Sequence, residues 1–341
     1  MRSSKKAICV SVAFLLVTII LSLVIIEPYL HSKALYFEDA ELRNAHAGEF
    51  DMLICGASHA QHAFIPSRIN EELGCTCYNL SGSLLTMSGR KALLETELER
   101  NPVTTVVLEI SYNALRRDES SEYAEGDMYL MPRLPSFSER MRYFFQNVSF
   151  GDYQNAYSYS LFLGMTYWGR ALAAKDLHVN NVVEADMGFL PSKSRDVAIP
   201  EAEWQSARDT GELITGYRSE NIDALRELAA LCQEHGAELI IAVVPVADSF
   251  IWKLSGWEEF SSLLSELSDE LHCTTIDFNL LKNRRDLFSD RDSFSDDIHL
   301  STKGAETFSS VFAQTMKLHY EGESVDQYFF SSYEELKNTV F

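Results

Sequence analysis

Leu53-Ile54-Cys55-Gly56-Ala57-Ser58-His59-Ala60, residues 53–60, decides how the rest of the chain is read. The apolar run from Met52 to Cys55 predicts a buried strand that stops at Gly56. A serine follows at the strand exit, and a short polar segment leads to a helix opening at Pro66. In an open α/β sheet, ligands bind outside the carboxyl ends of the strands, so Ser58 stands where chemistry is usually placed. A bare serine is a weak nucleophile and needs a base within hydrogen-bond reach. One other stretch is composed to supply it, Asp296-Asp297-Ile298-His299-Leu300.

Outward from that strand, the pattern repeats. Residues 76–80 read as a second strand ending at Asn79-Leu80-Ser81-Gly82-Ser83, and a helix from Ser88 to Arg100 carries Leu93, Leu94 and Leu98 on one face. Asn101-Pro102 stops that helix, and Val103–Ile110 is a nearly continuous apolar run. Such runs mark parallel strands covered on both faces. After a long interruption the alternation resumes: a helix over 219–234, a strand over 238–244, a helix over 257–271, a strand over 274–278, and a last long helix capped by Ser301 or Thr302. The expectation is an α/β three-layer sandwich around a five-stranded parallel sheet with right-handed crossovers. Loops leaving the strand ends would then gather Ser58, Gly82 and Asn113 at one edge.

Residues from about 114 to 215 lack this alternation and are rich in aromatic residues, among them Tyr153, Tyr157, Tyr159, Tyr167 and Trp168. They are expected to be an insertion on the C-terminal side of the third strand, over the site. Their aromatics suit helix packing against the body, or a sugar-stacking surface in which Trp168 and Tyr167 would bind substrate. The tail, 319–341, is acidic and aromatic, and its role is not legible.

The net charge of −21, with no basic cluster beyond the first six residues, argues against nucleic acid as partner. Residues 7–26 are free of charge and, at ~1.5 Å per residue, would span about 30 Å as a helix, enough for a bilayer core. Arg2, Lys5 and Lys6 precede this run and Glu27 follows it, which predicts a cytoplasmic amino terminus. The expected organisation is a stub and single-pass anchor in 1–28 and an extracytoplasmic domain in 29–341. A cleaved signal peptide is the competing reading, with Ser32-Lys33-Ala34 as a small-x-small sequence. Of the six cysteines, Cys55, Cys75, Cys77, Cys232 and Cys273 lie beyond the anchor, an odd count without framework spacing. Buried thiols, or one disulfide, are expected. Neither Cys75-x-Cys77 nor His59-x-x-His62 has a further ligand set nearby, so no metal and no cofactor are expected.

With these blocks in place, the sequence resembles the SGNH (GDSL-type) hydrolase family. Gly56-Ala57-Ser58-His59 stands where that family's Gly-Asp-Ser-Leu block lies, and Gly82 matches its glycine block. Ser111-Tyr112-Asn113 stands in the place of Gly-x-Asn-Asp, and Asp296-x-x-His299 matches the final block. The resemblance covers about 50–112 and 219–318. Ala57, Ser111 and Ala114 depart from the family pattern. The small residue before the serine and the histidine after it look like the membrane-anchored branch, which includes alginate acetylation and teichoic-acid D-alanylation proteins.

The resemblance implies a flavodoxin-like SGNH fold with Ser58 as nucleophile, His299 as base and Asp296 as its orienter. Asp297 is the rival for that last role. It also implies an oxyanion hole made by the Ser58 and Gly82 N–H groups and the Asn113 side chain. The implied activity is O-acetyl transfer to an envelope or exported glycan, with a membrane-bound O-acyltransferase as partner. Ester hydrolysis is the second reading, and a non-catalytic glycan-binding or assembly subunit the third.

Overall fold

The computed structural model describes residues 2–21, 39, 42–117, isolated positions between 130 and 146, and 186–340. Its centre is a five-stranded parallel sheet: β1 (Met52–Cys55), β2 (Cys77–Asn79), β3 (Thr105–Glu109), β4 (Glu238–Val243) and β5 (Thr274–Asp277), in the order β2-β1-β3-β4-β5. β1, which leads into Ser58, therefore lies between β2 and β3. The longer helices are α1 (Arg2–Leu21), α2 (Pro66–Leu73), α3 (Met87–Leu98), α4 (Ser219–Glu234), α5 (Trp257–Leu271), α6 (Thr302–Tyr320) and α7 (Tyr333–Val340).

Strand side chains alternate between two cores, as the period of two requires. Leu53, Val106 and Leu108 pack with Leu94, Leu228 and Phe260 from α3, α4 and α5. Ile54, Val107 and Ile240 point the other way, to Ile69 of α2 and Phe308, Phe312 and Met316 of α6. Both faces of the sheet are covered, which is why its strands are apolar runs rather than alternating ones. Truncating a side chain such as Ile54 in so closed a core would cost about 2–5 kcal/mol.

Helix ends follow their local chemistry. Pro66 opens α2, where a missing N–H costs nothing. Thr86 caps α3 by accepting the Gly89 N–H at 3.0 Å, and Ser301 caps α6 through the Gly304 N–H at 3.3 Å. The tail folds back onto the body: Tyr333 stacks on Trp257 with ring centroids 4.8 Å apart and donates to Asp277 at 2.6 Å.

Of the two cysteine readings the structure has the first: all six are free thiols, with Cys55, Cys77 and Cys232 buried. Among the described residues no helix is long and apolar enough to cross a membrane. The charge-free run 7–26 is described to Leu21, as α1, with Phe14, Leu15 and Val17 exposed; residues 22–26 lie outside the described residues.

Candidate active site

Ser58 opens a single helical turn, Ser58–Gln61, directly after β1. The sequence reading expected only a polar segment here. Because the turn starts at Ser58, its N–H has no carbonyl one turn earlier within the helix to bond. The Ser58 hydroxyl lies 2.7 Å from His299 Nε2. On the far side of the ring, His299 Nδ1 lies 2.9 and 2.8 Å from the two carboxylate oxygens of Asp296. A carboxylate only accepts, so the proton sits on Nδ1, and Nε2 presents its lone pair to the Ser58 hydroxyl. Ser58, His299 and Asp296 form one hydrogen-bonded line, a geometry in which a serine could act as nucleophile and the histidine as its base.

The histidine loop is held by its own backbone. Ser295 N–H donates to the His299 carbonyl at 2.9 Å, Ser301 N–H to Ser293 at 2.9 Å, and Ala247 N–H to Asp297 at 3.0 Å. Asp296 Oδ1 also accepts the Ile298 and His299 N–H groups at 3.0 and 2.9 Å, so the carboxylate shapes the turn that carries its histidine. Burial pushes the Asp296 carboxyl up from its ordinary pKa, but the His299 contacts and these two amides outweigh it and bring the group down to about 2. Asp296 is thus the residue on Nδ1; its rival Asp297 contributes its backbone carbonyl to Ala247. Gly304 keeps the loop close to α6, since a Cβ there would meet the Ser293 carbonyl oxygen at 2.0 Å.

His59 and His62 flank His299 edge-on, with ring centroids 5.0 and 5.4 Å away. His62 Nδ1 donates to the Leu190 carbonyl at 2.6 Å. Burial and the neighbouring His299 lower His62 to about 4, so it stays neutral beside His299 near neutral pH. His59 is also pushed down, chiefly by burial. Among the described residues no cluster of three or more His, Cys, Asp or Glu is arranged to hold a metal ion.

The other expected residues are placed as follows. Gly82 reaches the same sheet edge, but its N–H donates to the Gly56 carbonyl at 3.2 Å. This corrects the expectation that Gly82 offers a ready oxyanion donor: the parallel pairing of β2 with β1 continues past Asn79 and engages that amide. Asn113 is half-buried in the turn 112–116, next to Tyr112, whose ring stacks on His59 at 6.4 Å. Trp168 and Tyr167 lie outside the described residues. The described end of the insertion does run against the site. Leu190 N–H donates to Gln61, Arg195 N–H to Phe294, and Thr302 N–H to Ser192, at 3.0, 2.7 and 2.9 Å.

The sequence reading missed Glu109, Arg90 and the role of Gly56. Glu109 lies fully buried at the end of β3 and accepts the Ala57 N–H at 3.1 Å. The signal was present: a carboxylate inside the apolar run Val106–Ile110 is expensive to bury and calls for specific partners.

No protein-family model matches the chain, and no curated protein matches it. Among solved structures, it is similar to a Streptococcus pneumonia protein provisionally described as a platelet activating factor. The two are 12% identical, with a TM-score of 0.38, over 87% of this chain and 98% of that one. It is also similar to Est24, a carbohydrate acetylesterase from Sinorhizobium meliloti. Here the identity is 12% and the TM-score 0.32, over 79% of this chain and 99% of Est24. Likenesses this distant carry no argument about activity, and the reading below rests on side-chain geometry.

Proposed function

We propose that the chain is a serine acyl-ester enzyme of the SGNH type that transfers acetyl groups to hydroxyls of an envelope or exported glycan. The observation that carries this reading is the Ser58–His299–Asp296 line, with Ser58 Oγ 2.7 Å from Nε2. In the first half-reaction Ser58 Oγ attacks the acyl carbon while its proton passes to His299 Nε2. The carbon–oxygen bond to the leaving group breaks, and that oxygen takes the proton. In the second half an acceptor hydroxyl gives its proton to Nε2 and attacks the acyl-Ser58 ester; the bond from the acyl carbon to Ser58 Oγ breaks and Nε2 returns the proton to that oxygen. Water as acceptor makes the same chemistry a hydrolysis.

Ser58 N–H and the Asn113 amide are the oxyanion donors in this reading, each worth about 3 kcal/mol of barrier. Gly82 joins only if its bond to Gly56 is shared or given up. The charge-free run 7–26, preceded by Arg2, Lys5 and Lys6, supports an extracytoplasmic domain held at the membrane, with a membrane-bound O-acyltransferase as acyl supplier. Impermeant labelling of intact cells at a tag after residue 40 tests that placement; label appearing only after lysis reverses it.

The test of the chemistry is acceptor partition. The full-length protein should release p-nitrophenol from p-nitrophenyl acetate, and an added oligosaccharide should divert acetyl from water to sugar. Hydrolysis unchanged by sugar favours the esterase reading. A wild type as inert as Ser58→Ala contradicts both.

A further inference from the structure

Glu109 is completely buried, and both of its oxygens are aimed at the turn that carries Ser58. Oε2 accepts the Ala57 N–H at 3.1 Å and lies 3.8 Å from the Arg90 guanidinium. Oε1 faces His59 Nδ1 at 3.5 Å and has no hydrogen-bond partner among the described residues. Arg90, itself buried, donates to the Glu109 main-chain carbonyl at 2.6 Å, which keeps its charge beside the carboxylate. Two of the residues that Glu109 touches, Ala57 and His59, bracket Ser58.

Gly56 completes the arrangement. A Cβ there would stand 2.7 Å from both Glu109 Cβ and Oε2 and 2.6 Å from Ala60 Cβ, so only a glycine lets the turn lie down on the carboxylate. The ring of His59, facing Glu109 on one side, stands edge-on to His299 with centroids 5.0 Å apart on the other. A shift of Glu109 would therefore reach the serine through its backbone and the base through a ring contact.

We infer that Glu109 is a positioning residue for the nucleophile, holding the Ala57 amide by a hydrogen bond and backing the His59 imidazole by contact, so that Ser58 Oγ is held against His299 Nε2. The inference rests on the reading of Ser58 as nucleophile. It differs from a purely structural role, in which Glu109 would only neutralise Arg90 and keep the end of β3 folded. Loss of a structural residue lowers the fraction of folded protein. Loss of a positioning residue slows each folded molecule.

A fluorophosphonate separates the two. Its phosphorus bonds to Ser58 Oγ, fluoride leaves and His299 takes the proton, so the amplitude of labelling counts folded sites and the rate constant reports positioning. For full-length Glu109→Leu, which removes the acceptor of the Ala57 N–H, we expect Ser58 labelling about 100-fold slower, as a misplacement on the order of 1 Å would cause. The KM for p-nitrophenyl acetate should be unchanged while kcat falls. Glu109→Gln, whose amide oxygen can still accept that N–H, should recover much of the rate. His59→Leu removes only the ring contact and should slow labelling less. Glu109→Leu labelled at the wild-type rate, with only its amplitude reduced, overturns the inference. If Glu109→Leu does not fold, His59→Leu decides, and a wild-type rate there overturns it. A wild type that is not labelled at Ser58 overturns the inference together with the function it rests on; a labelled wild type with unaffected variants overturns the inference alone.

Discussion

The Ser309 hydroxyl accepts the Ile65 N–H at 2.8 Å, and through this bond the last long helix is fastened to the segment that follows the nucleophile. The same hydroxyl donates to the Ala63 carbonyl at 3.1 Å, and the residue is fully buried. Because α6 begins three residues after His299, this contact helps set the spacing between the serine and histidine loops, which lie 241 residues apart in the chain. Ser309→Ala leaves a buried N–H without a partner, and thermal unfolding should show a loss of about 1–3 kcal/mol. An unchanged melting temperature would mean that another group had taken over the bond.

Asp296 fixes the tautomer of His299, and Asn at that position would offer N–H to Nδ1 and favour the wrong one. Asp296→Asn should lower kcat on the order of 10³-fold with little change in KM, and should be less damaging than Ser58→Ala. The carboxylate lies at about 2 rather than its ordinary 3.8, so its contribution to stability is fully present above the ordinary value and is lost as pH falls through about 2. Acid unfolding followed by circular dichroism should lose that component in the variant.

His62 shifts the same way, from 6.5 to about 4, mainly because it is buried. The unfolded chain takes up its proton as pH drops below 6.5, whereas the folded protein resists until about 4. Stability therefore falls across that window as the medium is acidified. His62→Gln should flatten the loss between pH 6.5 and 4 by roughly 2–3 kcal/mol, with His59, lowered in the same direction, retaining its own share. Urea midpoints measured at several pH values check this, and parallel profiles for the two proteins would count against a neutral, buried His62.

Much of this architecture can be read in the chain because burial on both faces writes itself as apolar runs. Val103–Ile110 and Glu238–Val244 read as strands and are strands at their centres, with ends displaced by one or two residues where pairing stops. Ser58, Asp296 and His299 were legible because each stands at the end of an element or at a fixed spacing. What the sequence did not disclose is contact across the sheet. That Glu109 reaches Ala57 depends on the register of β3 against β1, and that the Gly82 amide goes to Gly56 depends on where the pairing of β2 and β1 ends. The helical turn at 58–61 was hidden for a different reason: four residues are too few to show a period.

The central claim is that Ser58 carries the acyl group. Full-length protein mixed with p-nitrophenyl acetate, quenched in acid within the first turnovers and digested should yield the peptide containing Ser58 with one acetyl group on the serine. Ser58→Ala and His299→Ala should yield none. An acetyl group on another residue, or turnover with no acetylated enzyme in the wild type and undiminished in Ser58→Ala, would contradict the account.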